Sequence, residues 1–247
     1  MNLIRYLLGG TLLLVASVAQ AQEAGDCSVS EDLISTDRAL PRVMDAIAAK
    51  HLSIAVVGSA SSTLRGPNGP ANAYPAQLEA ELKRRLPGVS ITVTPHIEAR
   101  ASTADMTALF PKILAEKPNL LIWQTGTTDL MLGNEPEAFR DALEKGITAL
   151  HAAGVDVVLV NLQYSPRTDA MTNVTPYAET MRMVAEDQNI PLFDRMGIMK
   201  YWNNEGTFDF YSMSNDGTTY RVHGCLGRLL ADEVLSSAKR AEVKAEH

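Results

Sequence analysis

Short apolar runs alternate with helical repeats along most of the chain. Ser53 to Gly58, Val89 to Thr94, Leu120 to Gln124, Val155 to Leu162 and Ile190 to Phe193 read as strands. Between them, Pro75 to Leu86, Ala104 to Glu116, Pro136 to Ala153 and Thr175 to Gln188 carry apolar residues at helical spacing, and Leu226 to Lys239 reads as a closing helix. Pro87-Gly88, Lys117-Pro118 and Gly154 supply the stops. Strand and helix alternating in this way predict an α/β fold: one doubly wound domain, with about five parallel strands flanked by helices. The near-continuous apolar strands fit a sheet covered on both faces.

The two ends change the picture. Arg5 precedes an apolar stretch from Tyr6 to Val18, and Ala19-Gln20-Ala21 follows as a small-residue cleavage pattern. Residues 1–21 therefore read as a secretory signal peptide, which implies a periplasmic or secreted bacterial protein. The other reading, an uncleaved anchor, has a run short for a membrane span. With the signal removed, no integral membrane segment is expected. Residues 22–50 read as a helical lead-in and 51–240 as the α/β domain. In an oxidising compartment, Cys27 and Cys225 suggest a disulfide tying the ends together; two separate buried thiols are the alternative.

Composition mainly excludes. Lys and Arg number 22 against 29 Asp and Glu, a net charge of −7, which argues against nucleic acid as a partner. Two cysteines are too few for a cysteine zinc site, and no His, Asp and Glu set has metal spacing, so neither metal nor cofactor is expected.

In open parallel sheets ligands bind beyond the carboxyl ends of the strands. The loops there are Gly58-Ser59-Ala60-Ser61-Ser62-Thr63, Gly126-Thr127-Thr128-Asp129 and Gln163-Tyr164-Ser165-Pro166-Arg167. A late segment, Ser214 to His223, precedes the closing helix. With Tyr74 to Glu79 and Cys225 to Ala231, these stretches resemble the SGNH (GDSL-like) hydrolase superfamily, from about Ser53 to Leu235. The likeness is greatest to exported bacterial members whose first motif reads Gly-Ser-Ser-Ser-Thr. The resemblance implies a flavodoxin-like sheet. It also implies a serine nucleophile after the first strand, an oxyanion hole of a glycine N–H and an asparagine side chain, and a histidine three residues after an aspartate.

Carried onto this chain, the motifs are altered. Gly58 and Ser59 match the first motif, but Ala60 falls at the nucleophile; a one-residue slide puts Ser61 there. Arg100 or Ala101 stands where the oxyanion glycine is expected. Gly126, Thr127 and Asp129 match the third motif, with Thr128 in place of asparagine. Asp216 matches the aspartate, Thr219 occupies the histidine position, and His223 follows four residues later. Arg167 stands at the expected cleft mouth, suited to a ligand carboxylate or phosphate or to a structural ion pair.

Two readings follow. In the first, the fold is retained and catalysis is impaired. The chain is then a binding or accessory factor whose cleft takes a saccharide or acyl-ester ligand, or which partners an enzyme of envelope polysaccharide (glucan) synthesis or modification. In the second, it is an active ester hydrolase removing acyl groups from a glycan. Ser61 or Ser59 would be the nucleophile, His223 the base and Asp216 its orienter, with Thr128 and backbone N–H groups of the Gly58, Ala60 and Ala101 region holding the oxyanion.

Overall fold

The computed structural model describes residues 27–211 and 216–245, with Asp216 and Ala245 described by backbone alone. The signal peptide expected at 1–21 lies outside the described residues, as do Ser214 and Asn215.

Five parallel strands form one sheet in the order β2-β1-β3-β4-β5: β1 His51–Gly58, β2 Ser90–Ile97, β3 Leu120–Gln124, β4 Asp156–Val160 and β5 Leu192–Phe193. The order reverses at β1 and β3, as in other doubly wound sheets. β2 runs beyond the expected Thr94 through Pro95. Proline has no N–H to donate, and an edge strand tolerates that.

Side-chain alternation along the strands separates two cores. Leu52, Ile54, Val56, Ile122 and Val158 face one layer, formed by α1 (Pro41–Ala48), α3 (Tyr74–Arg85) and α10 (Asp216–Ala245). Ala55, Val57, Leu121, Trp123 and Leu159 face the other, formed by α4 (Thr103–Leu114), α6 (Pro136–Ala152) and α8 (Thr175–Asp187). Among the described residues, four further α-helices are α2 (Gly69–Asn72), α5 (Thr127–Leu132), α7 (Pro166–Met171) and α9 (Arg195–Asn204). They follow strands or loops that the apolar pattern left unassigned.

The closing helix differs most from expectation. It begins at Asp216 rather than Leu226. Gly217, Thr218 and Thr219 are weak helix formers, so the sequence reads there as a loop. Tertiary packing overrides that preference. Gly227 lets α10 press onto α3, where a Cβ would stand 2.6 Å from Gln77 Cβ and 2.8 Å from the Leu78 nitrogen. Cys225 is bridged to Cys27 across 198 residues, with a Cα–Cα distance of 5.1 Å. Consequently Thr219 and His223 are successive turns of one helix rather than points on a flexible loop.

Candidate active site

Beyond the carboxyl end of the sheet lies a cleft of ≈ 540 Å³, walled by Ser61, Arg65, Gln163, Arg195, Thr219 and His223 among others. A larger hollow of ≈ 620 Å³ between α1 and α10 contains no residue of the motif loops. The loops after β1 and β4, the start of α9 after β5, and α10 all reach the first cleft, so it is the site that the topology builds.

Its floor is set by the turn after β1. Ser59 to Ser62 close in a short 3-10 turn, Ala60–Ser62, with the Ser62 N–H donating to Ser59 O at 2.9 Å. Gly58 is required beneath it, since a Cβ there would stand 2.2 Å from Ser62 Oγ. The turn folds its hydroxyls onto one acceptor, Gln124 Oε1 at the end of β3. That oxygen lies 3.3 Å from Ser59 Oγ, 3.1 Å from Ser61 Oγ, 2.8 Å from Ser62 Oγ and 3.2 Å from the Ser59 nitrogen. A carbonyl oxygen has two lone pairs, so these donors share it. Ser62 also meets the buried Tyr74 hydroxyl at 2.9 Å. An amide oxygen orients a hydroxyl but does not take its proton at neutral pH. Ser59 and Ser62 are buried, Ser61 is half-buried at the cleft, and Ala60 is exposed beside it.

His223 enters from α10 and is 4% exposed. The Tyr74 backbone N–H donates to its Nδ1 at 3.1 Å. Burial, and secondarily the Arg195 guanidinium, push its pKa down to about 3. The ring is therefore neutral at physiological pH. With Nδ1 accepting, its proton sits on Nε2. A serine-activating histidine has the reverse polarity: Nδ1–H donates to a carboxylate and Nε2 accepts from the serine. In this arrangement His223 offers the cleft a donor.

Arg195 completes the floor. β5 ends at Phe193, and the Asp194 carboxylate caps α9 by accepting from the Gly197 N–H at 2.8 Å and from Asn161 Nδ2 at 2.6 Å. This fixes the next residue, Arg195, beneath the cleft at 1% exposure. Its Nη2 donates to Ser61 O at 3.0 Å and its Nη1 to Ser61 Oγ at 3.3 Å. Nε has no partner, and no carboxylate among the described residues pairs with the guanidinium. Burial lowers its pKa to about 10, which still leaves it charged.

The remaining expected site residues are dispersed. Thr219 is half-buried in the cleft wall, one turn before His223. Thr128 is half-buried in the first turn of α5 and is not among the cleft residues. Asp129 is buried and turned away, accepting from Thr103 Oγ1 at 2.8 Å, the Thr103 N–H at 3.1 Å and Asn134 Nδ2 at 3.0 Å. Ala101 is buried, and its N–H already donates to Glu98 O at 3.3 Å. Arg100 carries a left-handed φ of 66°, a backbone conformation that favours glycine. Arg167 is exposed on α7. The role expected of the Asp216 side chain lies outside the described residues.

Sequence reasoning did not single out Gln124, Tyr74 or Arg195. Arg195 had a readable signal: it follows the last strand, at the sheet end where ligands bind.

The sheet order, the cleft position and the serine turn define an SGNH/GDSL-like hydrolase fold. The profile of the Non-GDSL lipase-like family matches residues 26–240, and the chain belongs to that family. Among solved structures it is similar to TesA, with 22% identity over 76% of this chain and 99% of that one and a TM-score of 0.58. It is also similar to a lipase/acylhydrolase from Enterococcus faecalis, at 17% identity, 75% and 96% coverage and a TM-score of 0.61. A catalytic mutant of Axe2, an acetylxylan esterase from Geobacillus stearothermophilus, gives 16%, 74% and 94%, and 0.62. These identities speak for the fold alone. The search of curated proteins found no match.

Proposed function

We propose that this chain is an exported, non-hydrolytic relative of the SGNH esterases. It binds a saccharide of the bacterial envelope in the cleft where its relatives cleave esters, as an accessory to glycan synthesis or modification. The observation that carries the reading is the polarity of His223: its Nδ1 accepts the Tyr74 N–H, and its pKa is pushed down to about 3. Such a ring is a hydrogen-bond donor rather than a proton acceptor. The serine hydroxyls contact Gln124 Oε1, and Ala60 and Thr128 replace two further members of the expected machinery. Triad members act as a unit, so the loss of one removes most of the rate.

Export is supported by the N-terminal sequence and by the Cys27–Cys225 disulfide, which is stable in an oxidising compartment. A saccharide ligand is supported by neighbours described as acetylxylan esterases and as an esterase active on acetylated mannans.

One observation favours the hydrolase reading: Ser61 is half-buried at the cleft with an arginine Nη1 3.3 Å from its hydroxyl. That reading requires His223 to release Tyr74 and turn its ring. Incubation with a fluorophosphonate followed by intact-mass measurement separates the two. The expected result is no adduct on folded protein. A single adduct mapping to Ser59, Ser61 or Ser62 contradicts the proposal.

A further inference from the structure

We infer that the cleft is an anion site, built to seat a carboxylate or phosphoryl group of the ligand over Arg195. The saccharide identity of that ligand rests on the proposed function; the anion site itself does not.

Burying a guanidinium is unfavourable unless a counter-charge and a full set of acceptors replace water. Arg195 is 1% exposed, yet among the described residues it has no carboxylate partner. Its acceptors are the Ser61 carbonyl and hydroxyl, and Nε has none. The Tyr74 ring, 5.7 Å from the guanidinium carbon, adds a cation–π contact that does not neutralise it. A protein that only needed to fill this position would do better with an apolar side chain. The charge therefore acts on what enters the cleft.

The rest of the wall agrees. No Asp or Glu is among the described residues that line it, whereas Arg65 stands at its exposed rim. The neutral His223, protonated on Nε2, lines the cleft, and Thr219 adds a hydroxyl. Donors and positive charge converge, and the low-dielectric floor strengthens their attraction for an anion. Where an esterase stabilises a transient oxyanion, this cleft offers a standing cation to a permanent one.

The test uses the disulfide-bonded mature protein and amide NMR titration with inorganic phosphate, D-glucuronate, glucose 1-phosphate and neutral D-glucose. The three anions are expected to shift the Ser61, Tyr74 and His223 signals saturably, and D-glucose is not. Arg195→Met is expected to weaken anion binding at least about tenfold. The same variant should melt no lower than the parent, since it removes an uncompensated buried cation. If it does not fold, Arg65→Ala supplies the test: this rim variant is expected to weaken phosphate binding severalfold without loss of stability. Tighter binding of glucuronate than of glucose 1-phosphate supports the proposal and points to an acidic polysaccharide; the reverse supports it and points to a phosphorylated one. No saturable shift, equal shifts with D-glucose, or equal affinity in every folded arginine variant overturns it. Anion binding in a protein whose serine is labelled by fluorophosphonate would keep the anion site and remove the non-hydrolytic reading. An unlabelled protein blind to anions would do the opposite.

Discussion

Replacing Cys27 and Cys225 together by alanine is expected to remove the largest single contribution to stability. The bridge spans 198 residues, nearly the whole described chain. In the chain-entropy model, a loop of that length restricts the unfolded ensemble by up to about 5 kcal/mol, and native bridges often give less. Both cysteines are also buried in the core layer shared by α3 and α10, at 5% and 4% exposure. Their replacement therefore removes packing as well. For a protein of this size, each kcal/mol shifts the melting temperature by about 2–4 °C. Calorimetry should show the double variant, and the reduced parent, melting about 10 °C or more below the oxidised protein. A shift of only a degree or two would show that the bridge does not restrain the fold. His223 lies one turn-fragment before Cys225 on the same helix, so loosening this anchor also loosens the cleft wall.

The second large effect is electrostatic. Glu233 lies on α10 at 3% exposure, and its Oε1 has no hydrogen-bond partner. Burial pushes its pKa up to about 8, against the smaller opposing pull of Arg240 and the Thr36 hydrogen bond. The folded protein thus keeps this proton above the unfolded value of 4.5. Stability from the neutral carboxyl is fully present below that value and is lost as pH rises through about 8. Other groups share part of the window. Asp156 is also raised, to about 6, chiefly by burial. His223 is lowered, so its contribution runs the opposite way and is lost as pH falls below 6.5. Between 6.5 and about 8, Glu233 therefore sets the slope, about 1.4 kcal/mol per pH unit. Glu233→Gln keeps the shape without the charge. It is expected to be more stable than the parent by about 3 kcal/mol at neutral pH, and nearly flat across that window. Urea unfolding at three pH values checks this; parallel curves for the two proteins would contradict it.

The sheet was legible because its strands are apolar runs with clear stops. β3 falls on the expected residues, and β1 and β4 differ by a few positions at their ends. The start of α10 was not legible, since Asp216-Gly217-Thr218-Thr219 has the composition of a turn and becomes helical through packing on α3. At the site, departures from the resembled motifs could be read: in the direct register Ala60, Thr128 and Thr219 stand where the resemblance implies serine, asparagine and histidine. What those changes leave behind could not. The polarity of His223 depends on a backbone N–H 149 residues away, and backbone groups carry no sequence signature. Arg195 looks like a surface charge until the Asp194 cap and the Ser61 turn enclose it.

The proposed function stands on His223 being held as a neutral donor and not as a base. Heteronuclear NMR of the imidazole nitrogens tests it most directly. The expected result is a proton on Nε2, an acceptor-type Nδ1, and no titration until the pH approaches about 3. A proton on Nδ1, or titration at the ordinary value of about 6.5, would contradict it and return His223 to the role of catalytic base.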